Sequence, residues 1–248
     1  MKIGECNFML KKIGTFCLIL PLVLLMLTKP LLAQEQNKIP KNIQLDYEVT
    51  RDGQAFAKVH ESFTQNGQHY RIESTTKGLG IYALFGVRQM ISEGDVTPAG
   101  LKPKHFELHQ GDNKNKSLFA DFDWVNNKLT MQVKGENITE PLTAGTQDLA
   151  SYAYQFMYKP PIDAQVVINL STGKKLNQYL YNKGDDNQVV AVGQKNYTAI
   201  TLSTAQSNNG EKKQIWLAKD QFYLPVKYQI IDDKGVNLTQ TLIKIHVE

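Results

Sequence analysis

Cysteine is almost missing from this chain, and what there is sits at one end. The sequence holds only two, Cys6 and Cys17, so residues 34–248 have none. That excludes disulfide staples, a thiol nucleophile and thiolate metal sites there, and leaves packing to supply the stability. Histidine is sparse and scattered, with five in all. There is no Gly-x-Ser-x-Gly elbow, and the single Gly-x-Gly, Gly78–Gly80, lacks the third glycine and the strand–helix setting of a phosphate cradle. Concentrated charge is missing too. The net charge is +4 over the whole chain; removing residues 1–33 takes away Lys2, Lys11, Lys12, Lys29 and Glu5, four cations and one anion, and leaves +1. A nucleic-acid binder carries a basic stripe that this balance does not supply.

The longest apolar run is N-terminal. Lys11 and Lys12 precede Ile13–Leu27, an apolar stretch interrupted by Gly14, Thr15 and Pro21, and Ala33 stands where a signal peptidase cuts. Residues 1–33 are therefore expected to be a secretory signal peptide that sends the protein to the periplasm. An uncleaved anchor is the competing reading, although the run falls short of the roughly 20 residues of a full span. No stable membrane span is expected after cleavage. Cys17 lies too early in the run for a lipid-attachment cysteine. The polar residues 34–42 read as a disordered lead-in, and 43–248 as a single β-rich domain.

Alternation of period two dominates that domain. Ile43, Leu45, Tyr47 and Val49 alternate with polar residues, Asp52-Gly53 and Asn66-Gly67 mark hairpin turns, and strands return at 55–64 and 69–76. Further runs follow at 88–97, 103–110, 118–124, 129–133, 166–170, 175–181, 188–192, 197–204 and 238–247. The stretch Ile215–Ile230 is the clearest hairpin, with Lys219-Asp220 in its turn, Pro225 stiffening the return and Trp216 as a core anchor. The period changes once: Leu149, Tyr152, Ala153, Phe156 and Met157 follow helical spacing, with Thr146 or Asp148 as cap and Pro160-Pro161 as stop. The expected fold is mainly β, a strongly curved or partly closed antiparallel sheet of open-barrel type, covered by one amphipathic helix. A transmembrane β-barrel competes, but uneven strand lengths, the helical interruption and the final His246-Val247-Glu248 speak against it.

Several short segments, taken in order, resemble a bacterial exported family catalogued as domain of unknown function 3108. They are Tyr47-Glu48-Val49 with Gly53, Gly94, the run Gly100-Leu101-Lys102-Pro103-Lys104-His105-Phe106, Gln147-Asp148-Leu149-Ala150-Ser151, Ile215–Asp220 and Leu224-Pro225-Val226-Lys227. The resemblance implies no activity, so no catalytic residue, cofactor or metal is carried over.

Three groups of residues invite a chemical reading. His105, Glu107 and His109 share one face of a strand, but histidines four apart are about 13 Å from each other, too far to hold one zinc without bending; a solvated polar face is the simpler reading. Asp121 and Asp123 also share a face, as a glycosidase pair would, with nothing else catalytic near them. The glycine-punctuated apolar run Leu79–Val87 is either a connection packed on one end of the sheet or a movable flap, hinged at Gly78, Gly80 and Gly86. As a flap, Leu79, Ile81, Tyr82, Leu84 and Phe85 would close over an apolar pocket that Tyr152, Phe156 and Met157 help to line, unless those three are ordinary core. The function expected is non-enzymatic binding of an apolar or lipid-like envelope component. The alternatives are an adaptor that engages an envelope protein partner and, behind it, a polysaccharide-active enzyme.

Overall fold

The computed structural model describes residues 38–112, 116–204 and 210–248; the signal-peptide reading and residues 34–37 of the lead-in lie outside them. Residues Lys38–Glu248 form one compact unit. Its first five strands are β1 (Asn42–Arg51), β2 (Gln54–Asn66), β3 (His69–Gly78), β4 (Arg88–Thr97) and β5 (Gly100–Gln110). They are joined as a meander by turns whose residues are readable. Asp52 and Gly53 both take positive φ, 49° and 80°, the twist a two-residue hairpin needs. The next hairpin turns one residue later than expected, on Gly67-Gln68, because Asn66 pairs with His69.

The meander continues through β6 (Leu118–Asp123), β7 (Lys128–Val133) and β8 (Glu136–Pro141). The chain then passes through β9 (Gln147–Asp148) to β10 (Gln165–Ser171), β11 (Leu176–Lys183), β12 (Gln188–Val192) and β13 (Lys195–Thr204). It ends with β14 (Lys212–Ala218), β15 (Leu224–Ile231) and β16 (Asn237–Val247). All sixteen described strands form one sheet. Its order runs from β8 back to β1, then β16 to β13, β11, β10 and β9, with β12 on β13. Pairing is antiparallel except between β9 and β10. The order ends at β8 on one side and β9 on the other, so the sheet is not closed. Residues 38–41 are tied to it: Ile39 packs on the core and the Lys41 N–H bonds to the Glu248 carbonyl at 3.0 Å.

β1 to β5 present their inward residues in rungs. Val59, Thr76, Arg88 and Gln110 form one, Glu61, Ser74, Met90 and Leu108 the next, and Phe63, Ile72, Ser92 and Phe106 the third. Tyr47, Phe63, Tyr70, Ile72, Phe106 and Tyr154 are fully buried over this face; each such side chain contributes about 1.5–3 kcal/mol. In the organising hairpin Trp216 is buried as expected. Its indole N–H donates to Gln188 Oε1 at 2.7 Å, and Lys227 Nζ sits 4.6 Å above its ring.

The expectation of one covering amphipathic helix is corrected. Residues 149–153 are turns, followed by a single 3-10 turn, Tyr154–Met157. The bonds alternate between the two helical types: Gln155 N–H to Ser151 O, then Phe156 N–H to Ala153 O. Asp148 does start the segment, its Oδ1 accepting from the Ala150 and Ser151 N–H groups, both at 2.9 Å. The dozen or so residues between that cap and Pro160-Pro161 would suffice for a helix, but helical propensity contributes little beside tertiary packing, and the contacts each side chain finds on the core favour the mixed turns. The inward spacing survives because tight turns also bring residues three and four apart onto one side.

A cationic mouth under an apolar turn

The flap residues fold as a 3-10 turn, Gly80–Phe85, at one end of the inner face. Backbone bonds hold it at both ends. The Leu79 N–H bonds to Phe56 O at 2.9 Å, the Gly111 N–H to Val87 O at 2.8 Å, and Gln110 Nε2 donates to Phe85 O at 2.8 Å. Two glycines permit this seating. A Cβ on Gly78 would stand 2.3 Å from Tyr82 O, and one on Gly86, at φ +75°, would meet Gly111 Cα at 2.9 Å.

No residue of the turn is buried. Ile81, Leu84 and Phe85 are 74%, 88% and 70% exposed, whereas a packed connection would hide them. Tyr82 leans on Phe56, ring centroids 4.5 Å apart, and Phe85 follows Tyr82 at 6.5 Å. Beneath them is a groove of about 470 Å³, within the usual range of small-molecule sites, ~300–1,000 Å³. Its floor comes from the outermost inward positions of β2 to β5: Ala57, Gly78, Thr76, Arg88 and Gln110. Its apolar wall is Phe56, Tyr82, Leu84 and Phe85, and Lys116 stands at the rim.

Tyr152, Phe156 and Met157 do not line this groove. Phe156 and Met157 are buried in the core and Tyr152 is half-buried against it. The structure therefore gathers Tyr82, Leu84 and Phe85 around the groove and places the other three elsewhere. Ile81 and Leu79 belong to the turn but not to the groove lining.

One rung below the groove lies a buried carboxyl that sequence reading passed over. Glu61 Oε1 accepts from Ser74 Oγ at 3.2 Å and its Oε2 from the Tyr154 hydroxyl at 3.3 Å. Burial outweighs both bonds and pushes its pKa up to about 7. Deeper again, Asp148 Oδ2 accepts from Ser92 Oγ at 2.6 Å, and Ser92 meets the Tyr70 hydroxyl at 3.0 Å. Burial lifts the Asp148 carboxyl to about 6. Glu61 was legible by parity, since it follows Ala57 and Val59 and precedes Phe63 on the apolar side of β2.

The other candidates resolve into structural roles. Glu107 bridges the two histidines, with His105 Nε2 at 3.0 Å and His109 Nε2 at 2.7 Å, and Asp121 meets His105 Nδ1 at 2.6 Å. Burial pushes the Glu107 carboxyl up, but the bonds from His109 and His105 prevail and hold it below its usual range. Among the described residues no three potential ligands stand together as a metal site. Asp123 accepts from the Val125 and Asn126 N–H groups and from Asn126 Nδ2, making the β6–β7 turn. Asp121 is exposed and paired with His105, so the two aspartates do not face each other across a cleft as glycosidase acids do.

These features define a class: a mainly antiparallel, single-sheet β protein whose unclosed sheet carries a solvent-reaching groove at one end of its inner face. Residues 42–242 match the family model described as "Protein of unknown function (DUF3108)", and the chain belongs to that family. No curated protein matches the sequence. Among solved structures, the hypothetical protein CT021 from Chlamydia trachomatis is similar at 8% identity and a TM-score of 0.35, over 84% of this chain and 87% of that one. At that level nothing is transferred from it. Among the described residues, no helix is long and apolar enough to cross a membrane.

Proposed function

We propose that this is an exported periplasmic protein that binds an apolar, lipid-like component of the cell envelope without chemically altering it. The observation that carries the reading is the groove of about 470 Å³ walled by Phe56, Tyr82, Leu84 and Phe85 under a turn whose apolar side chains face solvent. Exposed leucine and phenylalanine in one short turn are unfavourable unless something covers them. The N-terminal apolar run behind Lys11 and Lys12 supports export, and among the described residues the groove lining brings together no convergent acid–base or nucleophile set, which supports binding over catalysis.

Native mass spectrometry of protein purified from the periplasm of expressing cells, followed by solvent extraction, tests this. A co-purifying apolar molecule is expected. Leu84→Asp should lose it, because covering the wall with ligand would desolvate a carboxylate, which costs more than the ~1–3 kcal/mol of a neutral polar group, or more than ~tenfold in affinity. Stability should stay within about 0.5 kcal/mol, since Leu84 is exposed. A bare polypeptide mass under gentle conditions would contradict the reading. One observation favours an adaptor role instead: Ile81 is exposed but does not line the groove. If Ile81→Asp abolishes capture of an envelope protein while small-molecule binding is absent throughout, that second reading stands.

A further inference from the structure

Among the described residues, Arg88 is the one cation on the groove floor. It lies at the start of β4 on the inward side, opposite Thr76 on β3 and Gln110 on β5. Its side chain is half-buried and, among the described residues, has no hydrogen bond and no carboxylate within ion-pair distance. The nearest acid in the rung pattern, Glu61, spends its oxygens on Ser74 and Tyr154 and attracts Arg88 only through space, an attraction that burial of the guanidinium outweighs. A guanidinium cannot shed its proton to escape such a position, and a half-desolvated charge with no hydrogen bond or contact ion pair is costly. The walls above it are aromatic and aliphatic. A ligand that fits both must be negative at one end and apolar along the rest.

Resting on the apolar-binding reading above, we infer that the groove takes a single-chain carboxylate amphiphile, its head on Arg88 and its chain against Phe56, Tyr82, Leu84 and Phe85. The planar fork of arginine matches a carboxylate in two parallel bonds. One half-buried cation balances one negative charge, whereas a phosphate monoester brings ~1.5 to 2 and would leave the excess desolvated. Lys116, exposed at the rim, adds attraction but no fixed geometry.

The test is equilibrium binding of palmitate, hexadecanol and hexadecyl phosphate to the mature protein, read by displacement of the fluorescent fatty acid cis-parinarate. Palmitate is expected to bind at least about tenfold tighter than either of the other two. Arg88→Gln should remove that advantage, weakening palmitate far more than hexadecanol, and Arg88→Lys should keep part of it. Unchanged far-UV circular dichroism checks that the variants fold, and the wild-type preference between head groups needs no variant at all. Equal binding of palmitate and hexadecanol by the wild type, or palmitate binding untouched by Arg88→Gln, would overturn the carboxylate assignment while the apolar groove stands. Tighter binding of hexadecyl phosphate would replace carboxylate by phosphate and likewise overturn it. Binding of none of the three would sink the groove reading itself.

Discussion

Glu61→Gln is expected to make the protein more stable than the wild type at pH 8 and to flatten its stability between pH 4.5 and pH 7. The native carboxyl keeps its proton up to about pH 7, while in the unfolded chain it ionises near its ordinary 4.5. Between those values the folded state binds more protons than the unfolded one, so stability falls as pH rises and is level above. The displacement corresponds to about 3 kcal/mol. Asp148, lifted from 3.8 to about 6, adds a decline of similar size, about 3 kcal/mol, over a lower window. Glutamine keeps two polar atoms for Ser74 and Tyr154 and never ionises. Urea unfolding at a series of pH values checks this: the wild-type midpoint should drop from acid to neutral pH, and the Glu61→Gln midpoint should drop less. Parallel curves would mean that Glu61 is not the buried titrating group. The His105–Glu107 pair acts at other pH values. Glu107 is held below its usual range and His105 above, the bonds to Asp121 and Glu107 outweighing its burial. Their joint contribution is fullest between the two ordinary values and fades at either extreme, and being partly exposed it is screened.

Gly94→Ala is expected to lose about 3 kcal/mol, near the upper end for overpacking. A Cβ there would lie 2.2 Å from Lys102 O and 2.8 Å from Pro103 Cα, both backbone atoms. They cannot swing aside as a side-chain tip can. The pairing of β4 with β5 shifts register between Glu93 and Gly94, and Gly94 faces Pro103, so the strands close at a bulge where only a glycine fits. Gly67→Ala is the control. Gly67 has positive φ, +60°, but nothing within 4 Å of its Cβ direction, so its cost is conformational, roughly 1–2 kcal/mol. Thermal melts of the two variants separate the cases. At roughly 2–4 °C per kcal/mol for a domain of this size, Gly94→Ala should melt about 6–12 °C below the wild type. A Gly94→Ala melt as mild as that of Gly67→Ala would show that β4 and β5 can part there cheaply.

Much of the sheet was written in the sequence. Residues 88–97 and 188–192 coincide with β4 and β12, and the β1–β3 meander needed only alternation and its turns. β8 left no trace because all six of its residues are exposed, so no apolar face recurs. β9 is a two-residue bridge, below the length at which periodicity means anything. Tyr152, Phe156 and Met157 read as a helix because turns packed on a core also bury every third or fourth residue. The turn over the groove was visible as Gly-punctuated apolar sequence, and its exposure is what distinguishes it from core. The groove floor was not visible. Arg88, Thr76 and Gln110 come together only through the register of three strands, and no single segment encodes that register. Glu61 stood on the apolar face of β2 and could have been singled out by parity alone.

The central claim, that the groove beneath Gly80–Phe85 is the binding site, is tested most directly by photo-cross-linking. Mature protein would be incubated with palmitate carrying a diazirine on its chain, irradiated, digested with trypsin and mapped by mass spectrometry. Cleavage after Lys77 and Arg88 isolates 78–88, which holds Tyr82, Leu84 and Phe85, as one peptide. The account predicts label concentrated on that peptide and on the one containing Phe56, competed away by unlabelled palmitate and absent in Leu84→Asp. Label spread evenly over the surface, or centred on Tyr152–Met157, would contradict it.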